Sequence, residues 1–596
     1  MQLSGLATRS STIVATLALL SCSESGPTGP GNTVERIEFT PSSVALGTGR
    51  SASVEVRNTG NVAIGPISLN AAPVRNSGGV EQPSASLTQT PASIATLNPN
   101  DVATVQLAVS AVNLTDGTYT SSISARRGNE ELASLQLTFA VSSGGGGGGP
   151  VASVVITGGP ASGEQGDVGA YVAEARDSAG APLSGVHVNW AVVPGNAGLM
   201  TAEGKFVAYG TGQPQIIASA NGVADTLQVT ITQRSAPSGS FAVTGQGLVS
   251  ERFTSDLWAH GNVLLTGTWS TRNGNPGNKL NVWNISSPDA PVLADSVIVD
   301  ARTVNDVKFS PDGSLAVLSH EGGGTNGITL LDMSSPFQPV EITQFSNLLE
   351  PSTNNSVHNV WLEQDYAYIS NSITNLLRVV DISNPQAPAT VASQNFGAGP
   401  SPALHDVYVR DGLAFLSNWT DGLIIVDVGN GIAGGSPTSP REVSRIGFGG
   451  FSVHNAWYWP AAGYVFAGDE FSASSLGVGI VKVVDISDPS NPVEVASFHA
   501  AGDSPHNFWL DETRGILYAA WYSNGVYAVD VTGELLGRLD LQGREITNSR
   551  YNGSTGCGFS SGASTNRTCT WAPQLHNGRL YVSDLDAGLK VLQPNF

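Results

Sequence analysis

Residues 404–428 read LHDVYVRDGLAFLSNWTDGLIIVDV. After His405, apolar and polar residues alternate up to a tight turn at Arg410-Asp411-Gly412. A second apolar run, Leu413–Leu416, leads through a loop ending at Gly422 into a third run that closes on Asp427. Alternation with period two, punctuated by Asp-Gly turns, predicts three short antiparallel strands rather than a helix.

The same sentence recurs along the chain. Aligned on its first strand, copies begin at Asp256 (DLWAHGNVLLTG), Asn305 (NDVKFSPDGSLAVLS), His358 (HNVWLEQDYAYIS), His405, His454 (HNAWYWPAAGYVFAG), His506 (HNFWLDETRGILYAA) and Thr570 (TWAPQLHNGRLYVS). Seven copies of about fifty residues, each offering four short strands, are what propeller blades require, because one blade cannot bury both faces without neighbours. The last copy stops at Phe596 after its third strand, and an orphan strand, Gly239–Val249 (GSFAVTGQGLV), precedes the first. The orphan is therefore expected to complete the last blade and close the ring.

The third strands and the turns after them, GLIIVDV, LRVVDISNPQAP and VKVVDISDPSNP, resemble the LVIVD-repeat propellers of bacterial cell-surface proteins. That resemblance implies a seven-bladed surface β-propeller over residues 235–596 and carries over no catalytic residue.

Composition agrees with an all-β chain. The 596 residues include 70 glycines and 33 prolines, and only 13% are charged. A net charge of −21 repels phosphate backbones and argues against a nucleic-acid partner. At the N-terminus, Arg9, the apolar run Ile13–Leu20 and Leu19-Leu20-Ser21-Cys22 resemble a bacterial lipoprotein signal. Residues 1–21 are then a signal peptide, Cys22 is the lipid anchor, and residues 22–33 are a flexible tether to the outer membrane or cell surface. An ordinary secretory signal is the alternative, and either one exports the protein. Residues 34–142 alternate as a small β-sandwich does. Residues 143–150 form a Gly-rich linker, and residues 151–233 resemble a bacterial Ig-like domain, with Trp190 on its apolar face.

Candidate site residues fall into two sets expected to meet on one face of the ring. The first is His358, His405, His454 and His506. They are open to three readings: a packing device copied with the repeat, ligands for a transition metal, or acid/base groups. The second, on the loops between second and third strands, includes His320, Glu321, Trp419, Asp469, Glu470, Trp521 and Tyr522, with the aromatics expected at exposed loop tips. No cofactor is expected on the packing reading. The partner is then a protein or carbohydrate, and a metal-dependent enzyme is the alternative. The aspartates ending the third strands read as turn caps. Cys557 and Cys569 bracket a short Gly/Ser-rich insertion and, in an exported protein, are most simply a disulfide, with a metal or redox role as the alternative.

Overall fold

The computed structural model describes residues 35–596, apart from 142–150, 347–355, 398–403, 558–564 and shorter stretches of one to four residues. The signal segment 1–21, Cys22, the tether 22–33 and the linker 143–150 lie outside the described residues. The chain is all-β.

Two sheets enclose the first core. One runs Ile37–Thr40, Ser51–Asn58, Val102–Ala111, Ala85–Thr90, and the other is built on the long hairpin Gly117–Arg127/Glu130–Val141. Alternate residues of each face inward: Val54, Val56, Val105 and Leu107 meet Ile123, Ala125, Leu135 and Leu137 in one apolar cluster. A second core, between residues 151 and 232, gathers Tyr171, Trp190, Met200, Phe206 and Ile216. Here the strands are short and interrupted. Tyr171 interrupts the extended run, burying its ring and donating its hydroxyl to Pro160 O at 3.0 Å, and the strand bearing Trp190 begins only at Asn189.

Neither region stands apart from the repeats. Gln165 Nε2 donates to Leu541 O at 2.8 Å, and the buried Arg544 donates to Gly166 O at 2.9 Å. Tyr209 donates to Glu55 at 2.7 Å and accepts from Arg538 N at 3.2 Å, so all three regions meet around one phenol.

From Ser240 onward the chain forms seven consecutive antiparallel sheets with inner strands Phe253–His260, Val307–Phe309, Asn359–Glu363, Asp406–Arg410, Val453–Trp459, Phe508–Asp511 and Thr570–His576. Six of them take their four strands in sequence order. The fifth adds a short parallel strand, Gly537–Arg538. The seventh is completed by Ser240–Leu248, which pairs antiparallel with Gly588–Asn595. Apolar clusters bridge each neighbouring pair: Leu265 with Val307, Val317 with Val360, Val379 with Val407, Phe415 with Phe466, Val483 with Phe508, and Tyr518 with Val582. A further cluster holds Phe253 and Trp269 of the first sheet with Trp571 and Leu589 of the seventh.

Two local rules of the repeat explain its grammar. Gly422 and Gly525 open third strands at φ 92° and 84°, where a Cβ would lie 2.1 and 1.8 Å from the outer-strand carbonyls of Ile446 and Ser549. The aspartates that end third strands accept from the backbone two residues on: Ser334 N to Asp332 at 2.8 Å, and Ser383 N, Gly429 N, Ser487 N and Thr532 N to Asp381, Asp427, Asp485 and Asp530 at 2.9 Å. Cys557 and Cys569 form a disulfide across the insertion before the seventh inner strand.

Candidate functional site

The inner strands share one register, so equivalent side chains stack in layers along a common axis. The first layer holds Asn305, His358, His405, His454, His506 and Trp571 around a cavity of about 20 Å³, room for roughly one water molecule. One residue further, Asp256, Asp306, Asn359, Asp406, Asn455 and Asn507 form the second layer. Two residues beyond that, Trp258, Lys308, Trp361, Tyr408, Trp457, Trp509 and Gln574 form a third, around about 40 Å³.

The imidazoles are neighbours in series. Ring centroids are 4.3 Å apart from His358 to His405, 4.5 Å from His405 to His454, 4.2 Å from His454 to His506, and 4.4 Å from His506 to Trp571. Two of them tie adjacent sheets together: His405 Nδ1 lies 3.2 Å from His454 O, and His506 Nδ1 lies 2.7 Å from Trp571 O. Asn305 does the same work without an imidazole, donating Nδ2–H to His358 O at 3.1 Å. The second layer repeats the device, with Asp306 accepting from Val360 N at 3.0 Å and Asn359 from Val407 N at 3.3 Å.

Electrostatics sort the groups. Burial holds His405 and His454 well below the usual histidine range and His506 at about 3, so these rings are neutral. Burial also opposes charge on His358, but the carboxylate of Glu321, hydrogen-bonded to its Nδ1, outweighs it and raises this one histidine. Burial lifts Asp406 to about 7. Lys308 bridges Asp256, at 2.7 Å, and Asp306. Burial works against the Asp256 carboxylate, but Lys308 outweighs it and keeps that carboxyl low. Burial, with Asp256 as a like charge beside it, pushes Asp306 well up. The Lys308 ammonium also sits over the Trp258 ring, 4.8 Å from its centroid.

The loop residues meet the imidazoles. Glu321 binds His358, Trp419 packs 4.1 Å from His405, Glu470 Oε2 lies 3.7 Å from His454 Nε2, and Tyr522 packs 5.0 Å from His506. They are not exposed tips, and this corrects the expectation for the aromatics. Trp521 and Tyr522 are 0% and 5% exposed, and Trp419 is half-buried. His320, Glu321, Asp469 and Glu470 are buried as well. The reason lies in the backbone. The loops are sewn to the next sheet: Val357 N donates to His320 O at 2.8 Å, Val453 N to Trp419 O at 3.1 Å, and Thr570 N to Tyr522 O at 2.9 Å. Trp419 and Tyr522 turn at φ 39° and 40°, so their rings fold over the imidazoles instead of pointing to solvent. Trp521 is held from behind, its Nε1 donating to Asp503 O at 2.5 Å.

Reading only the histidine and its successor misses the third layer and Lys308. The signal was present in five copies: three residues past Asn305 and the four histidines stand Lys308, Trp361, Tyr408, Trp457 and Trp509, on the same strand face as the second layer. The structure shifts the first and last copies by one residue from the aligned Asp256 and Thr570 and so brings Trp258 and Gln574 into the same layer.

The LVIVD repeat family matches residues 355–395, 404–446 and 479–500. These matches cover the third and fourth sheets and the last two long strands of the fifth, Val478–Asp485 and Val493–Ala501. Among curated proteins no sequence matches the chain.

Proposed function

We propose that the chain is an exported lipoprotein, anchored at Cys22 to the outer membrane or cell surface, whose two N-terminal sandwiches, the second Ig-like, dock on a closed seven-bladed propeller and help it bind a protein or carbohydrate partner. The lipobox-like Leu19-Leu20-Ser21-Cys22 supports the address, and the LVIVD matches support a surface repeat domain. One contrast carries the binding role. The central channel has room for about 20 Å³ beside the histidines, whereas a cleft of about 480 Å³ opens between the second sandwich and the repeats. Ligand sites are usually hundreds of Å³ and favour domain junctions. The cleft is lined by Glu164, Asp167, Tyr171, Arg234, Glu534 and Arg544, acidic and basic groups beside an aromatic edge, a mixture suited to a polar chain such as a glycan or peptide.

The test has two arms. Cys22→Ala should release the chain from the envelope fraction, and a wild-type chain recovered wholly as soluble protein overturns the anchor. On arrays of envelope glycans and peptides the wild type should bind, Asp167→Arg/Glu534→Arg should lose binding at least about tenfold, and Glu341→Arg, on the exposed outer strand of the second sheet, should not. Unchanged binding by the double variant, or none by the wild type, rejects the cleft.

A further inference from the structure

The pair His454 and Glu470 carries an inference independent of the surface-binding reading. Both side chains are 4% exposed, and their nearest nitrogen and oxygen stand 3.7 Å apart. That is too far for a hydrogen bond. It is close to the separation of two ligand atoms on one cation, since bonds of 2.0–2.2 Å at the tetrahedral angle put ligands about 3.4 Å apart. His405 completes the group: one ligand atom each from His405, His454 and Glu470 lie within 4.8 Å of one another, and all three residues are buried.

The surroundings orient these ligands as outer-shell partners do at metal sites. His405 directs Nδ1–H at His454 O, 3.2 Å away, which leaves Nε2 as its lone-pair nitrogen. Glu470 Oε1 accepts the Tyr522 hydroxyl at 2.5 Å, which fixes the carboxylate and leaves Oε2 on the side of His454. Trp419 packs on His405 and on Phe471, at 4.1 and 5.2 Å, so the group is closed off by aromatic rings. His506, whose ring lies 4.2 Å from that of His454, has a buried Nε2 without a hydrogen-bond partner among the described residues, a further nitrogen beside the group. His358, held by Glu321, stands outside it.

We propose that His405, His454 and Glu470 hold a divalent first-row transition-metal ion, of the zinc class, that braces the fourth and fifth sheets from inside the channel. Two imidazoles and one carboxylate are a borderline donor set suited to zinc, cobalt or copper rather than calcium or magnesium. The enclosure fits a structural ion, with the three ligands drawn slightly inward on binding.

The full-length chain, purified without chelator or affinity tag and equilibrated with zinc or cobalt, should retain about one ion per chain, and the cobalt form should show the intense visible bands of a low-coordinate N/O site. Glu470→Gln, which keeps the shape and the Tyr522 contact, should weaken zinc affinity at least tenfold. Tyr522→Phe should weaken it about 10–100-fold. His358→Gln should leave the stoichiometry unchanged. Retention of less than about a tenth of an ion per chain after exposure to zinc, cobalt and copper overturns the proposal. So does loss of the ion in His358→Gln with retention in Glu470→Gln, which would move the site to the imidazole ring. If Glu470→Gln fails to fold, the wild-type cobalt spectrum and the Tyr522→Phe affinity still decide.

Discussion

His506 meets the carbonyl oxygen of Trp571 at 2.7 Å across the boundary between the sixth and seventh sheets. Both residues are at most 2% exposed, so no solvent replaces the bond if it is removed. His506→Ala should therefore destabilise the chain by about 1 kcal/mol, because the buried carbonyl loses the shorter of two bonds and keeps only the one from Asn507 N at 3.2 Å. The second sheet already carries the substitute: Asn305 makes the equivalent bond to His358 O at 3.1 Å. His506→Asn should accordingly recover at least half of the loss in denaturant unfolding. Equal losses for the two variants would mean that ring packing, not the hydrogen bond, holds this boundary.

Lys308 is enclosed by Asp256, Asp306 and the Trp258 face. Lys308→Met removes the ammonium between them and leaves two buried carboxyls facing each other. Breaking a buried pair from one side costs about 3–5 kcal/mol. Adding Asp256→Asn to Lys308→Met removes the stranded charge and should restore part of that stability. A double variant no more stable than the single one would refute the ion-pair account.

The repeat was legible because its signals are local. Asp-Gly turns, apolar alternation and the glycine before the third strand are each dictated by backbone geometry, and Gly422 and Gly525 stand where a side chain would strike the neighbouring strand. The histidine register was legible for the same reason, as was its meeting with Glu321 and Glu470. The burial of Trp521 and Tyr522 was not. It depends on Thr570 N reaching back to Tyr522 O, a contact between residues 48 positions apart that no local pattern encodes. The docking of Gly166 on Arg544, 378 positions apart, is equally non-local.

Asp427 gives a pH signature. Burial opposes its ionisation, but the backbone N–H groups of Gly429, Gly431, Ala433 and Gly435 all donate to it and hold its carboxyl at about 2. A folded-state value below the unfolded one, about 4, means stability that is fully present above pH 4 and lost as pH falls from 4 towards 2. Asp427→Asn should cost about 1–2 kcal/mol at pH 7 and much less near pH 2. Denaturant unfolding at pH 2.5, 4 and 7 checks this. A cost independent of pH would assign the effect to packing.

The strand Ser240–Leu248 completes the seventh sheet from the N-terminal side of the repeats. It pairs with Gly588–Asn595 from the opposite end of the chain, and Val249 behind it, 3% exposed, enters the apolar cluster that joins the first and seventh sheets. A chain beginning at Ser250 lacks both, so the seventh sheet ends in a free edge and the cluster loses a side chain. Compared with a chain beginning at Ser235, which lacks the same N-terminal region, it should lose about 3 kcal/mol from burial alone. Over the roughly 360 residues of this region that lowers Tm by roughly 3–5 °C. The exposed edge should also promote association at high concentration. A synthetic peptide spanning residues 235–249 should restore part of the Tm, since it supplies the missing partner strand. Identical melting of the two chains, with no response to the peptide, would show that the packing of the first sheet on the seventh does not depend on this strand.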